Sequence, residues 1–336
     1  MQQWRTTIKR RWSRPACADM LQAMEILTTT EQLEAARNDW LDLWRGAQDA
    51  TPFQSPMWLL PWWRHFGSND LNVITTRENG RLTSLAPLYV IREDGESLGM
   101  FLGTGISDYL DVLGGATLDL AQIDCQMWDL QQLRPSSPLL EMPLPDGWSD
   151  NVEEQDRCVL LSIENAGDAL QNLLSTHARK KLRYYKRSLA CTFEDANAEN
   201  LDAFLDALFQ LHAARWQQRG MPGMLADDVI QHFHRDVARA MLDAGALRMF
   251  AMRSGDRMAA VFYGFAHGDA VAYYLSGYDP SLEKHSPGTV IVAHAIEQAV
   301  RDGATTFDFL RGAEDYKYAW GAKDRINFRR QIFRAP

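Results

Sequence analysis

The sequence predicts an α+β fold built as two related halves, and three observations carry that expectation. Hydrophobic periodicity runs helix, helix, strand meander over residues 24–155, and the same order returns at greater length over 157–333. Several of the strand-like runs are joined by tight Asn-Gly and Gly-Asp turns, which connect antiparallel neighbours. The length of 336 residues suits about two domains at ~150 residues each.

In the first half, Leu33, Ala36, Trp40, Leu43 and Trp44 recur mostly at three- and four-residue steps, which predicts an amphipathic helix over 31–44. A second helix is predicted over 56–66, with Ser55 as its N-cap and Pro56 at its first position. Strands follow at 71–76 and 82–91 about the Asn79-Gly80 turn, then at 97–102, before acidic and Pro-rich connections. The second half opens with a strand over 157–163 and helices over 166–174, 176–189, 201–218 and 227–243. Strands at 246–253, 258–266 and 270–278 turn at Gly255-Asp256 and Gly268-Asp269. A helix over 287–302 stops at Gly303, and strands close the chain at 305–310 and 327–333. The expected division is a basic, disordered tail over 1–24, a first half over 25–155 and a second over 156–336.

Composition bounds the function. Hydrophobic residues at 46% and charged residues at 24% supply a sizeable core and exclude a disordered or disulfide-scaffold chain. No apolar run approaches the ~18–20 residues of a membrane span, so no integral span is predicted. A net charge of −9 argues against nucleic-acid binding by overall charge. The acids are segregated, however: residues 108–156 hold eleven of them against one base, Arg134. Cys17, Cys125, Cys158 and Cys191 lie far apart with no CxxC pair, which excludes a metal or disulfide framework and predicts free thiols in a reducing, cytoplasmic setting. Arg5, Lys9, Arg10, Arg11 and Arg14 precede no apolar segment, so a secretory signal is not predicted, and Met24 is an alternative start. His232 and His234 fall on different helical faces, which gives no metal site, and Gly103-Thr104-Gly105 lacks the third glycine of a dinucleotide loop.

Three segments could carry chemistry. In Ser286-Pro287-Gly288-Thr289, Ser286 reads as an N-cap and the amides of Gly288, Thr289 and Val290 as an anion site at a helix start; a plain capped helix would show the same pattern. Over 305–310 the alternation sends Asp308 to the face opposite Phe307 and Phe309, so its carboxyl is either paired or turned to a cleft. Tyr316, Lys317 and Trp320 follow on a short helix, with Tyr316 and Trp320 on one face. Finally, residues 179–187 hold six bases among nine residues, with Arg179, Arg183 and Arg187 on one stripe and Leu182, Tyr185 and Leu189 on another. Like charge at four-residue spacing points to an anionic partner or to a solvated face.

Together, Tyr278-Asp279-Pro280, Ser286-Pro287-Gly288, Asp302-Gly303, Phe307 to Gly312 and Tyr316-Lys317 with Trp320 resemble the GNAT-type acyltransferase domain of CelD-like proteins of cellulose biosynthesis, relatives of the FemAB aminoacyltransferases. Thr51 to Pro56, Trp62-Trp63, Ser175, Arg179 and Arg183 match that pattern too, and the resemblance covers about 25–333. It implies two tandem GNAT-like halves, each a mixed, mostly antiparallel sheet flanked by helices, with the second half holding the working site. The implied activity is acyl transfer from acetyl-CoA or another acyl-CoA to an amine or hydroxyl of a small molecule or glycan precursor, in polysaccharide or envelope biosynthesis, with peripheral association to that machinery. Aminoacyl transfer from tRNA and a non-catalytic partner of a polysaccharide-synthesis complex are its alternatives. Within it, Asp308 is the expected base or acceptor-positioning group, with Tyr316 and Lys317 orienting the acceptor. Tyr278, Ser286, Pro287, Gly288 and Thr289 are expected to hold the donor; Arg179, Arg183, Trp216 and Trp320 are expected to bind substrate or an anion. No metal is implied. The chain departs from the Arg/Gln-x-x-Gly-x-Gly/Ala phosphate loop of the fold, reading Glu283-Lys284-His285-Ser286-Pro287-Gly288.

Overall fold

The structure, a computed structural model, describes residues 22–114, 119–167, 170–218, 220–221 and 223–334. The expected basic tail lies outside these residues up to position 21; its last residues instead open a strand, β1 (Gln22–Leu27), in which Met24 faces Thr76. The predicted 31–44 helix is two, α1 (Thr30–Ala35) and α2 (Arg37–Gly46), and α3 (Pro56–Phe66) follows with Ser55 capping the Trp58 amide as expected. Next come β2 (Asp70–Leu71), β3 (Val73–Glu78), β4 (Arg81–Ala86), β5 (Leu88–Glu93), β6 (Glu96–Phe101), β7 (Met127–Leu133) and β8 (Trp148–Ser162). Pro87 breaks the predicted 82–91 strand because proline has no amide for the ladder.

The second half contributes α4 (Thr176–Leu189), β9 (Thr192–Asp195), α5 (Leu201–Gln217) and α6 (Asp228–Asp243). Then follow β10 (Leu247–Ser254), β11 (Arg257–His267), β12 (Ala270–Tyr278), α7 (Pro287–Arg301), β13 (Thr306–Arg311), α8 (Asp315–Tyr318) and β14 (Lys323–Arg334). The helix expected over 166–174 is replaced by two short 3-10 turns, Glu164–Ala166 and Leu170–Asn172.

The doubled order is real. Each half is an antiparallel meander that ends in a parallel pair, β6 with β7 and β12 with β13. The halves do not keep separate sheets, however. Among the described residues, β1-β3-β4 form a small sheet, while eleven strands run in the order β2-β5-β6-β7-β14-β8-β13-β12-β11-β10-β9. The expected boundary at 155/156 falls inside β8, which pairs with both β13 and β14.

The charge segregation in the sequence finds its cause here. β14 is rich in arginine and lies between β7 and β8, which carry the acids. Arg329 binds Asp129 at 2.6 Å and Glu153 at 3.3 Å, and buried Arg330 binds Asp150 at 2.6 Å and the Met142 carbonyl at 2.8 Å.

One apolar core serves both halves: Trp40, Trp58, Leu82 and Tyr89 of the first pack with Phe204, Phe233, Tyr263 and Phe265 of the second. Trp58 meets Phe53, Phe233, Phe265 and Tyr274 edge-on, a geometry worth about 0.5–1.5 kcal/mol per aromatic pair beyond area burial. A second core holds α4 and α7 on the other face of the second half, and a third lies in the first half.

Candidate active site

In each half the parallel strands pair over only two or three residues. β12 and β13 match over Ala270↔Thr306, Val271↔Phe307 and Ala272↔Asp308, then part; β6 and β7 match over Leu98↔Met127 and Gly99↔Trp128. What fills the gap differs. In the first half the described residues between the two strands hold no α-helix, only the 3-10 turn Leu120–Gln122, and they send Leu110, Val112, Leu120 and Ile123 into a core with Phe101, Trp128 and Leu130. Trp128 is fully buried and lies so close that a Cβ on Gly99 would sit 2.2 Å from its ring. In the second half a cleft of about 570 Å³ opens at the start of α7, walled by α4, the later part of β12 and the α8 segment that follows β13, a size typical of small-molecule sites.

The cleft is built from short-range features of the chain. Register slips between Tyr263 and Gly264, leaving Tyr274 as the extra residue of a bulge; Tyr273 packs in the core with α4 and α7 and Tyr274 against the shared one. Asp279 caps a 3-10 stretch, Pro280–His285, and Ser286 then takes a left-handed backbone, φ 49°, before Pro287 opens α7. That geometry corrects two expectations. The Ser286 side chain makes no capping bond. Its carbonyl accepts the amides of Thr289 at 3.0 Å and Val290 at 3.2 Å, which leaves Gly288 as the residue whose amide faces outward unbonded among the described residues. The Tyr278 ring lies over Gly288, where an added Cβ would meet it at 3.2 Å.

Of the expected donor residues, Tyr278, Ser286, Pro287, Gly288 and Thr289 all line the cleft, as do Tyr316 and Trp320. Arg179, Arg183, Trp216, Asp308 and Lys317 do not. On α4, the stripe Ala178, Lys181, Leu182 and Tyr185 faces the cleft, while Arg183 and Arg187 point to solvent. Trp216 donates its indole N–H to His212 at 2.9 Å and packs under Gly223. Sequence reasoning missed Lys181 and Arg215, the two cations of the cleft, together with Tyr273 and Ser276. The spacing of Ala178, Lys181, Leu182 and Tyr185 carried part of that signal, but the heavier charge of the 179/183/187 stripe obscured it.

Two residues expected to work on substrate are held elsewhere. Asp308 is buried on the face opposite the cleft, where its carboxylate accepts the Tyr109 hydroxyl at 2.7 Å, the Arg325 guanidinium at 3.2 Å and the Leu310 amide at 2.8 Å. The last bond steadies Leu310 in a left-handed conformation, φ 59°, which costs a residue with a Cβ roughly 1–2 kcal/mol. Alongside, Arg311 binds Asp108 at 2.8 Å. Burial raises the pKa of both Asp308 and Asp108, with the arginines pulling each back down. The buried Lys317 ammonium bonds the carbonyls of Arg311 at 2.6 Å and Gly312 at 3.0 Å and pairs with Glu314 at 2.9 Å, so it ties down the end of β13.

Inside the cleft, the Tyr273 and Ser276 hydroxyls share a hydrogen bond, and the Tyr316 hydroxyl lies beside that of Tyr273. Desolvation raises both tyrosines, so each hydroxyl keeps its proton at neutral pH. Arg215 stacks on Tyr278 with Cζ 5.0 Å from the ring centre. Among the described residues no cluster of His, Cys, Asp and Glu could hold a metal ion, and no helix is long and apolar enough to cross a membrane. Cys125 and Cys158 are buried and Cys191 half-buried, all as free thiols.

The architecture has known counterparts. A structure of FemX superposes with a TM-score of 0.66 at 11% identity, covering 92% of this chain and 96% of FemX. A conserved protein of unknown function from Bacteroides thetaiotaomicron gives 0.61 at 9%, over 92% of this chain and all of that one (100%). The C-terminal domain of a provisionally named lysylphosphatidylglycerol synthetase from Agrobacterium fabrum gives 0.56 at 11%, over 92% and 93%. At these identities the likeness is one of fold. No curated protein matches the chain. Residues 175–318, which carry nearly all of the cleft-lining residues, match the family model of an acetyltransferase (GNAT) domain.

Proposed function

We infer that the chain transfers an acyl group from a thioester, acetyl-CoA or another acyl-CoA, to an amine or hydroxyl held in the cleft of its second half. The observation that carries this reading is the cleft at the start of α7, inside the segment that matches the acetyltransferase model, set against the apolar packing between β6 and β7 in the first half. The residues fit such a donor. Tyr273, Tyr278, Val292 and Trp320 give a slender arm apolar walls, and the Gly288 amide, the positive end of α7 and Lys181 suit phosphate. Holding both ends of the donor turns a bimolecular attack into an oriented one.

The hydroxyl chain supplies the proton step. As the acceptor nitrogen or oxygen bonds to the carbonyl carbon, the carbon–sulfur bond breaks and the thiolate takes a proton from the Tyr316 hydroxyl. That hydroxyl is reprotonated by the proton the acceptor gives up. The departing thiolate, conjugate to a thiol of pKa about 8.5, is a weaker base than a tyrosinate, so the two transfers are coupled: the Tyr316 hydroxyl releases its proton only as it receives the acceptor's. Asp308 and Lys317 take supporting roles in this reading: they fix the path of β13 where it parts from β12. The acceptor belongs to the sugar or envelope precursors that the CelD-like resemblance implies.

Millimolar coenzyme A is expected to raise the melting temperature by several degrees, since a ligand at about 100 times its dissociation constant adds roughly 2.7 kcal/mol. Gly288→Val, which drives a side chain into the Tyr278 ring, should lose that shift while keeping the native circular dichroism. A second reading rests on the exposed basic face of α4, where Arg183 and Arg187 stand in solvent beside the cleft wall: aminoacyl-tRNA would then be the donor. No shift with coenzyme A together with a shift on charged tRNA would replace the first reading by the second.

A further inference from the structure

Arg215 is the cleft's least explained residue. It lies near the end of α5, and α5 packs into the core shared by both halves, on the face of the sheet opposite α7. A Cβ on Gly277 would sit 2.8 Å from Leu211, which shows how closely α5 rides on β12. The guanidinium therefore reaches the cleft from the layer that does not hold the helix start. It stacks on the far end of β12, at Tyr278, and its charge is felt at Tyr273 and Tyr316. No described carboxylate forms an ion pair with it, and its Nε is buried without any hydrogen-bond partner.

An unpartnered, half-buried guanidinium is costly unless a ligand completes it. Stacking on an aromatic ring fixes its plane, and a fixed plane favours two-pronged recognition of a carboxylate or phosphate. In the acyl-transfer reading the donor's phosphates already have partners at the α7 start and in Lys181, neither of which needs Arg215. Arg215 lines the same cleft as Tyr273 and Tyr316, so an anion bound to it shares the cleft with the hydroxyls assigned to the proton step.

We propose that Arg215 is the anion-receiving residue of the acceptor site, so that the acceptor is an amine or alcohol that also carries a carboxylate or phosphate. This rests on the acyl-transfer reading of the cleft and adds to it the chemical class of the acceptor. Arg215 sets specificity and takes no part in bond making.

The test uses the full chain, acetyl-CoA and two matched pairs of amines: glucosamine with glucosamine 6-phosphate, and butylamine with 4-aminobutyrate. Thiol release reads turnover. The charged member of at least one pair should be favoured by about tenfold or more in kcat/KM, the worth of one charge-assisted contact. The pair that shows the preference tells phosphate from carboxylate. Arg215→Gln should abolish the preference through KM, Arg215→Lys should restore part of it, and both should keep the wild-type coenzyme A melting shift. Equal use of charged and neutral amines by the wild type overturns the proposal, as does a preference that survives Arg215→Gln. Loss of the coenzyme A shift in Arg215→Gln, with the fold intact by circular dichroism, also overturns it, because the guanidinium then serves the donor. If no amine is acetylated at all, titration calorimetry with inorganic phosphate and 4-aminobutyrate separates the two ideas. Binding that Arg215→Gln removes upholds the anion site while the acyl-transfer reading falls; absence of binding sinks both.

Discussion

Asp308 shows how one side chain can look catalytic in sequence and act as a junction in the fold. The alternation of 305–310 correctly placed it on the face away from Phe307 and Phe309, but which face held the cleft depended on partners roughly 200 residues earlier, Asp108 and Tyr109. Asp308→Asn removes the negative charge beside Arg325, whose side chain is 29% exposed. The expected loss is about 2–3 kcal/mol in chemical denaturation, with coenzyme A affinity unchanged by calorimetry. A variant of wild-type stability whose turnover falls a hundredfold would return Asp308 to the chemistry. His234 offers a second test at this scale. Its ring sits among Trp58, Phe233, Tyr263 and Tyr274, fully buried, with neither nitrogen partnered among the described residues. Desolvation lowers it from 6.5 to about 3, so the unfolded chain binds a proton below pH 6.5 that the folded chain refuses until about pH 3. Stability therefore falls as pH drops through that window. His212 and His294, both lowered to about 4, act in the same sense, whereas Asp111, raised by burial to about 6, acts against them. His234→Phe should flatten the fall of melting temperature between pH 6.5 and 4; an unchanged slope would place the acid sensitivity elsewhere.

Among the elements, α4 separates two kinds of positive charge that a helical wheel alone cannot rank. Lys181 shares its face with Ala178, Leu182 and Tyr185 and borders the cleft, while Arg183 stands in solvent. Lys181→Ala should weaken coenzyme A binding about tenfold, in line with one charged contact, whereas Arg183→Ala should leave it unaltered at 0.15 M salt. Calorimetric titration of both variants decides it, and equal losses would mean that the whole face acts as a diffuse field. The longer elements were legible in the sequence because their signals are local: caps, tight turns and amphipathic stripes set α3, α4, α6, α7 and the meander of β10 to β12. The strands β1, β7, β9 and the first half of β8 were not. β9 has only four residues, and the exposed run from Ser149 to Glu154 on β8 has no alternation to read. Those strands exist because a neighbour completes their ladders, which no window of residues reveals. The site followed the same rule: the α7 start and Tyr316 were read from nearby residues, while Arg215 and Lys181 needed the packing of α4 and α5.

For the whole molecule, the shared core and the shared sheet predict that the halves unfold together. Calorimetry should show one transition with no separate melting of the first half. A chain ending at residue 322 should lack native structure in both halves, because Arg329 and Arg330 would no longer face Asp129, Asp150 and Glu153. A folded, soluble fragment over 22–155 would contradict this. The position of β14 also bears on how the protein is made. A ribosome delivers residues 323–334 after every strand they join, so β7 and β8 emerge with an empty slot and a surplus of carboxylates between them. Like charges across that slot disfavour direct pairing of β7 with β8, and the arginine-rich segment supplies the counter-charge and the ladder partner for both.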